Sequence, residues 1–290
     1  MILFEVFLNG LLLGGMYGLI ALGLNLQYGV ARILNLSYGE LFLGGAFIAF
    51  FTIMSAWQLN PLLSMLVSVP IAFALSWLIY QFLMIPLIRR APDQDVLDAD
   101  VVLVTFGLLF VFQGLALVNW SGDLRGYSFL SVPVHIAGAT LALNRLVAFL
   151  GACALALALF LVLRHTRFGT ALRAITIDPV AASLVGVDVR RFSALAFATG
   201  GALAAAAGML VSTFISFSAT TGIEYMLKAL IVVIMAGVGR VTGTLAAGLL
   251  LGVAESVGGY LLDPGLTIAI NFGLFLLVLL LRPTGLFTRA

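Results

Sequence analysis

Ala142-Leu143-Asn144-Arg145-Leu146-Val147-Ala148-Phe149-Leu150-Gly151-Ala152-Cys153-Ala154-Leu155-Ala156-Leu157-Ala158-Leu159-Phe160-Leu161-Val162-Leu163 holds one charge, Arg145, and ends against Arg164-His165-Thr166-Arg167. A helix needs about 20 mostly apolar residues to cross a bilayer, and this stretch meets that length. The pattern recurs along the chain. Of the 290 residues 63% are hydrophobic and 9% charged, against about 25% charged in soluble domains. The surface such a chain can present is a lipid-facing one. The expected fold is an all-α polytopic membrane protein of about 8–9 spans, one transmembrane domain over residues 1–290. The spans fall near 6–27, 38–57, 62–87, 100–120, 142–163, 192–215, 226–238, 243–262 and 266–282. The seventh is short enough to be a half-helix or re-entrant.

Several functions are excluded or unsupported. The net charge of +2 gives nucleic-acid binding no electrostatic footing. Cys153 is the only cysteine, so no intrachain disulfide or Cys-rich metal site can form. Lys228 is the only lysine, in Glu224-Tyr225-Met226-Leu227-Lys228-Ala229-Leu230-Ile231, so no Gly-Lys-Ser/Thr phosphate loop can be written. His135 and His165 lie far apart, with no metal spacing. No Ser–His–Asp or paired-carboxylate pattern supports enzyme chemistry. The N-terminal Met1-Ile2-Leu3-Phe4-Glu5 lacks the basic region of a signal peptide, and the first apolar stretch reads as a retained span.

Basic residues orient the chain. Arg32, Arg89, Arg90, Arg164, Arg167, Arg173, Arg190, Arg191, Arg240, Arg282 and Arg289 fall on one set of loops and ends; Arg125, Arg145 and Lys228 fall toward the other. The first set is expected to be cytoplasmic. With nine spans the N-terminus lies outside and the C-terminus inside a bacterial-type inner membrane. An acidic inner loop carries Asp93, Asp95, Asp98 and Asp100.

Small residues recur every fourth position at Gly10-Gly14-Gly18, Gly200-Ala204-Gly208 and Gly248-Gly252. This spacing lets helix backbones approach closely in lipid; it fits either static packing or a bundle that rocks. Gly29-Val30-Ala31-Arg32 is echoed by Gly237-Val238-Gly239-Arg240, each followed by a glycine-rich return, as in repeat-built transporters. The outer loop 121–141 suggests a small hairpin or an interfacial turn.

The inner loop 164–191 holds the most specific local signal. Asp178 is a good N-cap, Pro179 suits the first helical position and Gly186 suits a left-handed C-terminal cap. Val180-Ala181-Ala182-Ser183-Leu184-Val185 between them makes under two turns, too short to stand alone. It must dock, on its own bundle or on a partner. Ala181, Ala182 and Ser183 permit close approach and Leu184 and Val185 offer apolar contact. This suits a cytoplasmic coupling helix, with Arg164, Arg167 and Arg173 facing acidic groups of a motor subunit; the alternative is an ordinary interhelical loop.

Four stretches resemble the permease subunits of branched-chain amino-acid ABC importers, of the high-affinity Leu/Ile/Val type: Gly14-Gly15-Met16-Tyr17-Gly18-Leu19-Ile20-Ala21-Leu22-Gly23, Ile33-Leu34-Asn35-Leu36-Ser37-Tyr38-Gly39-Glu40, Gly169 to Val189, and Leu281-Arg282-Pro283-Thr284-Gly285-Leu286-Phe287. The second departs from the family's Asn-Phe-Ala-His-Gly-Glu element, with Leu, Ser and Tyr in place of Phe, Ala and His. The resemblance implies a second permease, homologous or identical, two cytoplasmic ATPase subunits holding ATP and Mg, and an external solute-binding protein. The chain itself would bind no cofactor. Relatives of this type carry amides, urea or aromatic acids as well as branched-chain amino acids, so the substrate stays open.

Ionisable groups inside spans suggest function by default. Glu40 could cap its helix, pair with Arg32 or line a path. Glu255 could be paired or line a path. Asn35, Gln113 and Asn271 are polar candidates for the path or for bridging helices, as is Asn119 for bridging. Glu224 and Lys228, four apart, are expected to form an outer-rim pair. Two rival readings remain: an ion-coupled secondary transporter using Glu40 and Glu255, and a facilitative channel for a small neutral solute such as urea.

Overall fold

The computed structural model describes residues 2–54, 60–127, 129–136, 139–282 and 285–287. The helices are α1 (Ile2–Ala31), α2 (Tyr38–Met54), α3 (Met65–Ile79), α4 (Ile85–Arg90), α5 (Gln94–Trp120), α6 (Leu143–His165), α7 (Arg167–Ile177), α8 (Pro179–Leu184), α9 (Val189–Ser212), α10 (Thr221–Ala236), α11 (Val241–Leu261) and α12 (Thr267–Leu281). A 3₁₀ turn before α3 and a π-turn at Tyr80–Met84 join α3 and α4 into one apolar run, Pro61–Arg90. Among the described residues six helical runs are long and apolar enough to cross a membrane, and Tyr38–Met54 and Thr267–Leu281 are shorter apolar helices. Each expected span thus has a helical counterpart. The end of the second, beyond Met54, lies outside the described residues.

Two expectations about boundaries change. The acidic segment 93–100 is helical from Gln94, because the Asp93 side chain accepts a hydrogen bond from Val96 N at 2.9 Å and caps α5. The short seventh span starts earlier, at Thr221, and stops at Ala236 where Gly237 takes φ +87°.

α9 forms the centre, with Ala196, Phe197, Ala204, Ala205 and Ala207 fully buried. α2 lies against it with almost no side chain between: a Cβ on Gly45 would stand 2.0 Å from Ala205 O, and one on Gly208 1.8 Å from Phe42 O. α1 and α11 also pack backbone to backbone along their length. A Cβ on Gly252 would stand 2.3 Å from Gly14 Cα, and one on Gly248 2.5 Å from Gly18 Cα. The Gly10-Gly14-Gly18 and Gly248-Gly252 spacings in the sequence therefore form the α1–α11 seam. The outer faces of α3, α5 and α6 stay apolar and exposed, as at Leu66, Leu103, Val118 and Leu157.

At one end α1 finishes beside the α10–α11 turn. Asn25 Oδ1 accepts from Gly239 N at 2.7 Å, and its Nδ2 donates to Thr244 Oγ1 at 2.5 Å. The two Gly-Val-x-Arg turns noted in the sequence thus meet in space. The tail seats on the same turn, with Leu286 N donating to Met235 O at 2.8 Å and the Arg240 guanidinium to Phe287 O. Pro283 and Thr284 of that motif lie outside the described residues.

At the opposite end the segment 121–141 holds an antiparallel hairpin, β1 (Pro133–Ile136) with β2 (Ala139–Ala142), as the hairpin expectation had it. Ser128 and Gly138 of this segment lie outside the described residues. Tyr127 ties the loop to α9 through a 2.8 Å contact with Ser212 Oγ, and burial pushes its phenol up to about 12, so it stays neutral at physiological pH.

α2 does not begin at a membrane face. Tyr38 donates its hydroxyl proton to Ile20 O at 2.6 Å, eleven residues before the end of α1 at Ala31. At 1.5 Å per residue the Tyr38 hydroxyl sits about 16 Å from that end. Residues 32–37 climb this distance as a non-helical strand of chain, held where Asn35 Oδ1 accepts from Ser37 N at 3.1 Å and Ser37 Oγ at 2.7 Å. Asn35 Nδ2 reaches Gln27 Oε1 at 3.4 Å, and Gln27 Nε2 donates to Phe197 O at 2.7 Å. In lipid such irregular backbone survives only inside protein; Asn35 and Ser37 are fully buried here.

Gly252→Val should force α1 off α11 and destabilise the bundle by about 1–3 kcal/mol, the usual cost of overpacking. Gly107→Ala, within α5, whose added methyl meets nothing within 4 Å, should hold or slightly raise stability, since Ala suits a helix interior better than Gly. Thermal unfolding in detergent, followed by size-exclusion fluorescence, measures both.

Candidate coupling surface and buried polar cluster

The segment expected to couple is a helix pair. α7 starts at Thr166, whose side chain accepts from Gly169 N at 3.2 Å, and it buries Gly169, Ala171, Leu172 and Ile175. Sequence reading placed no helix there. The signal was available: Phe168, Ala171, Leu172 and Ile175 recur at helical spacing behind a threonine cap. α8 follows as expected. Asp178 Oδ1 accepts from Val180 N at 2.8 Å and Ala181 N at 3.0 Å, with Pro179 in the first turn. Gly186 at φ +86° donates to Ser183 O at 3.1 Å, and Val187 N donates to Ala182 O at 3.1 Å. These two bonds are the paired closure of a Schellman cap.

The outward and inward faces of α8 differ from expectation. Ala182, expected on the docking face, is 3% exposed and packs into the protein's own core. Leu184 at 83%, Val185 at 78% and Val180 at 68% project outward, joined by Ile177 at 82%. Ile177 and Val180 are additions to the sequence candidates. Ala181 and Gly186 are exposed and Pro179 is half-buried. Arg164, Arg167 and Arg173 are exposed, and none has an ion-pair partner among the described residues. The pair is fixed to the bundle by Arg32, whose guanidinium donates to Thr176 O at 3.4 Å, and by Phe168 against Phe192 with ring centroids 6.0 Å apart.

The second polar assembly lies between α1, α10, α11 and α12. Lys228 Nζ sits 3.0 Å from Glu224 Oε1, 3.0 Å from Glu255 Oε1 and 2.9 Å from Tyr17 Oη. Tyr17 donates to Glu255 Oε1 at 3.1 Å, and Asn271 Nδ2 donates to Glu255 Oε2 at 2.8 Å. Lys228 also stands over the rings of Tyr17 and Tyr225, at 4.9 and 5.4 Å. The outer-rim expectation for Glu224 and Lys228 is therefore corrected. The two do pair, but Lys228 is buried and shared with Glu255, because α11 brings a second carboxylate that no local spacing announces. Glu255 and Asn271 belong to one hydrogen-bonded network.

Glu40 neither caps α2 nor pairs with Arg32. Its Oε1 is buried without a hydrogen-bond partner, since the Arg32 guanidinium is turned to Thr176. Asn35 serves the buried turn before α2. Gln113 stays half-buried on α5, and Asn119 is exposed, donating to Leu115 O in its own helix.

Residues 6–281 match the family model described as "Branched-chain amino acid transport system / permease component". The chain belongs to this permease family. It is 28% identical to the LivH high-affinity branched-chain amino acid permease of Salmonella typhimurium, covering 97% of this chain and 94% of the relative. It is 29% identical to BraD of Pseudomonas aeruginosa over the same shares, and 27% identical to a probable LivH of Methanocaldococcus jannaschii over 84% of this chain and 77% of the relative. In fold it is similar to PsaBC from Streptococcus pneumoniae in complex with Fab, with a TM-score of 0.51, 12% identity, and coverage of 95% of this chain and 91% of that one. The fold class is that of a helical membrane permease.

Lys228→Met should strand Glu255 without its cation and cost about 3–5 kcal/mol, the range for breaking one side of a buried pair. The double variant Lys228→Met/Glu255→Leu should recover much of that loss. A double-mutant cycle of thermal unfolding in detergent measures the coupling.

Proposed function

We propose that this chain is the membrane-spanning subunit of an ATP-driven importer for branched-chain amino acids or related small amino acids and amides. The observation that carries the reading is the fully capped α7–α8 pair, presenting Ile177, Val180, Leu184 and Val185 to solvent beside three exposed arginines that have no ion-pair partner among the described residues. An apolar knob with a basic rim fits a groove on a cytoplasmic ATPase with acidic edges. Family membership supports transport, and the names of the LivH and BraD relatives support the substrate class.

In this reading ATP and Mg are held by two separate ATPase subunits. A second permease, homologous or identical, completes the conduit, and an external binding protein delivers solute. The N-terminus lies outside and the C-terminus in the cytoplasm. Arg32, Arg240 and the seated tail gather at the α7–α8 end of the bundle, which supports this orientation under the positive-inside rule. ATP binding would shift α7–α8 as a rigid body, and the Arg32–Thr176 contact and the Phe168–Phe192 packing would carry the shift to α1 and α9.

Leu184→Asp changes only an exposed side chain, so folded yield should match wild type while co-purification of the ATPase is lost and uptake falls about tenfold or more. Gly186→Val should strain the cap and uncouple ATPase activity from the binding protein. Ala182→Arg should instead lower folded yield, because its site is buried in the protein's own core. Wild-type uptake by Leu184→Asp would overturn the coupling assignment.

A further inference from the structure

Three arginines gather at one cavity behind α7–α8. Arg32 follows the end of α1, Arg89 lies in the last turn of α4, and Arg190 lies in the first turn of α9. All three are exposed, and all three line a space of about 340 Å³ bounded by α1, α4, α5, α7 and α9. They are separate from Arg164, Arg167 and Arg173, which flank the apolar knob of α7–α8. Arg32 spends one N–H on Thr176 O, and a guanidinium has five to give.

The carboxylates nearest in the chain do not answer this charge. Asp93, Asp178 and Asp188 cap α5, α8 and α9 by accepting backbone N–H groups. Asp98 accepts from Gln94 Nε2 at 2.8 Å, and Asp95 and Asp100 share α5 with it. Among the described residues every ion pair belongs to Lys228, so none of these acids pairs with an arginine. Three like charges around one cavity make a field that favours an anion there.

The remaining walls indicate the kind of anion. They are mostly apolar, including Val30, Ile85, Ile88, Leu97 and Val189. Ile88 is also 39% exposed, at the end of the apolar run that carries Phe82 at 69%. α5, which supplies Leu97, continues the outward apolar face with Leu103 at 72%. The cavity is thus continuous with the surface that the chain turns to lipid. A small hydrated anion or an acidic side chain gains nothing from apolar walls. A phospholipid uses both parts: its phosphate sits where the spans end in arginines, and its acyl chains lie along the apolar helices beside them.

We propose that this cavity holds the phosphate of an anionic phospholipid, with Arg32, Arg89 and Arg190 as donors and the acyl chains on the outer face of α4 and α5. Ile175 of α7 and Pro179 of α8 line the same cavity, so the bound headgroup touches the helix pair assigned to coupling. The proposal goes beyond the importer reading and stands or falls without it.

The full-length chain, purified in detergent and stripped of lipid, is titrated with dioleoyl phosphatidylglycerol or dioleoyl phosphatidylcholine, and native mass spectrometry reads the first lipid bound. Phosphatidylglycerol should bind more tightly by about tenfold or more. Arg89→Gln/Arg190→Gln should lose most of that preference. Arg89→Lys/Arg190→Lys should keep part of it, since the charge remains but the planar fork is gone. Arg90→Gln removes the same charge from the same turn at a residue that does not line the cavity, and should stay within about twofold of wild type. Glycerol phosphate in about hundredfold excess should leave the lipid bound, because it has no acyl chains. Equal binding of the two lipids removes the site. An equal loss in Arg90→Gln leaves only diffuse surface charge, and displacement by glycerol phosphate makes the occupant a soluble anion; either result overturns the proposal. If Arg89→Gln/Arg190→Gln does not fold, Ile88→Glu decides: it sets a carboxylate at the exposed edge of the cavity, and an undiminished phosphatidylglycerol preference there is equally fatal.

Discussion

The backbones of α1 and α11 touch along Gly10, Gly14 and Gly18 on one side and Gly248 and Gly252 on the other, with no room for a single added carbon at Gly14 or Gly252. In lipid, apolar burial gives no drive for helix association, so close backbone packing has to supply it. The rest of the arrangement hangs from this seam. It brings Tyr17 of α1 to Glu255 of α11, and so lets Lys228 of α10 find both. Farther along it sets Asn25 against Gly239 and Thr244, closing the α10–α11 turn on which the C-terminal Leu286 rests.

Polar groups inside the bundle follow one physical demand. Each must find a partner within the protein, since lipid offers none. Lys228, Glu255 and Tyr17 meet it collectively, with Asn271 joining through Nδ2, as do Asn35, Ser37 and Gln27 around the buried chain before α2. Glu40 Oε1 stands apart from both sets, and Asn271 Oδ1, Ser68 Oγ and Ser76 Oγ are likewise buried without a partner. The helix of Glu40 begins within the bundle only because residues 32–37 pass inward as irregular chain.

That chain also connects the α7–α8 end of the bundle to Glu40. Arg32 ends α1 in a left-handed conformation, φ 53°, a place where glycine is usual, and its guanidinium reaches the last turn of α7. Eight residues later comes Glu40. A rigid movement of α7–α8 would therefore act on the covalent approach to the buried carboxylate as well as on α9 through Phe192.

Much of this was legible from sequence because it is local. The apolar runs, the Asp178-Pro179…Gly186 capping signals and the fourfold glycine spacing each depend on residues within a few turns of one another, where helix geometry alone fixes the outcome. The same locality could have revealed α7. What sequence could not contain was which helix meets which. Lys228 read as a rim residue because its only neighbour in the chain was Glu224; packing of α11 supplied Glu255. Ala182 read as a docking contact because its small size fits either a partner or its own core, and the tilt of α8 on the bundle decided for the core. Glu40 read as a cap or an Arg32 partner because both lay within reach along the chain. The three-dimensional path placed Arg32 at Thr176 and left Glu40 facing α10 without a donor, since the partner of a buried charge is set by separations across the bundle and not along it.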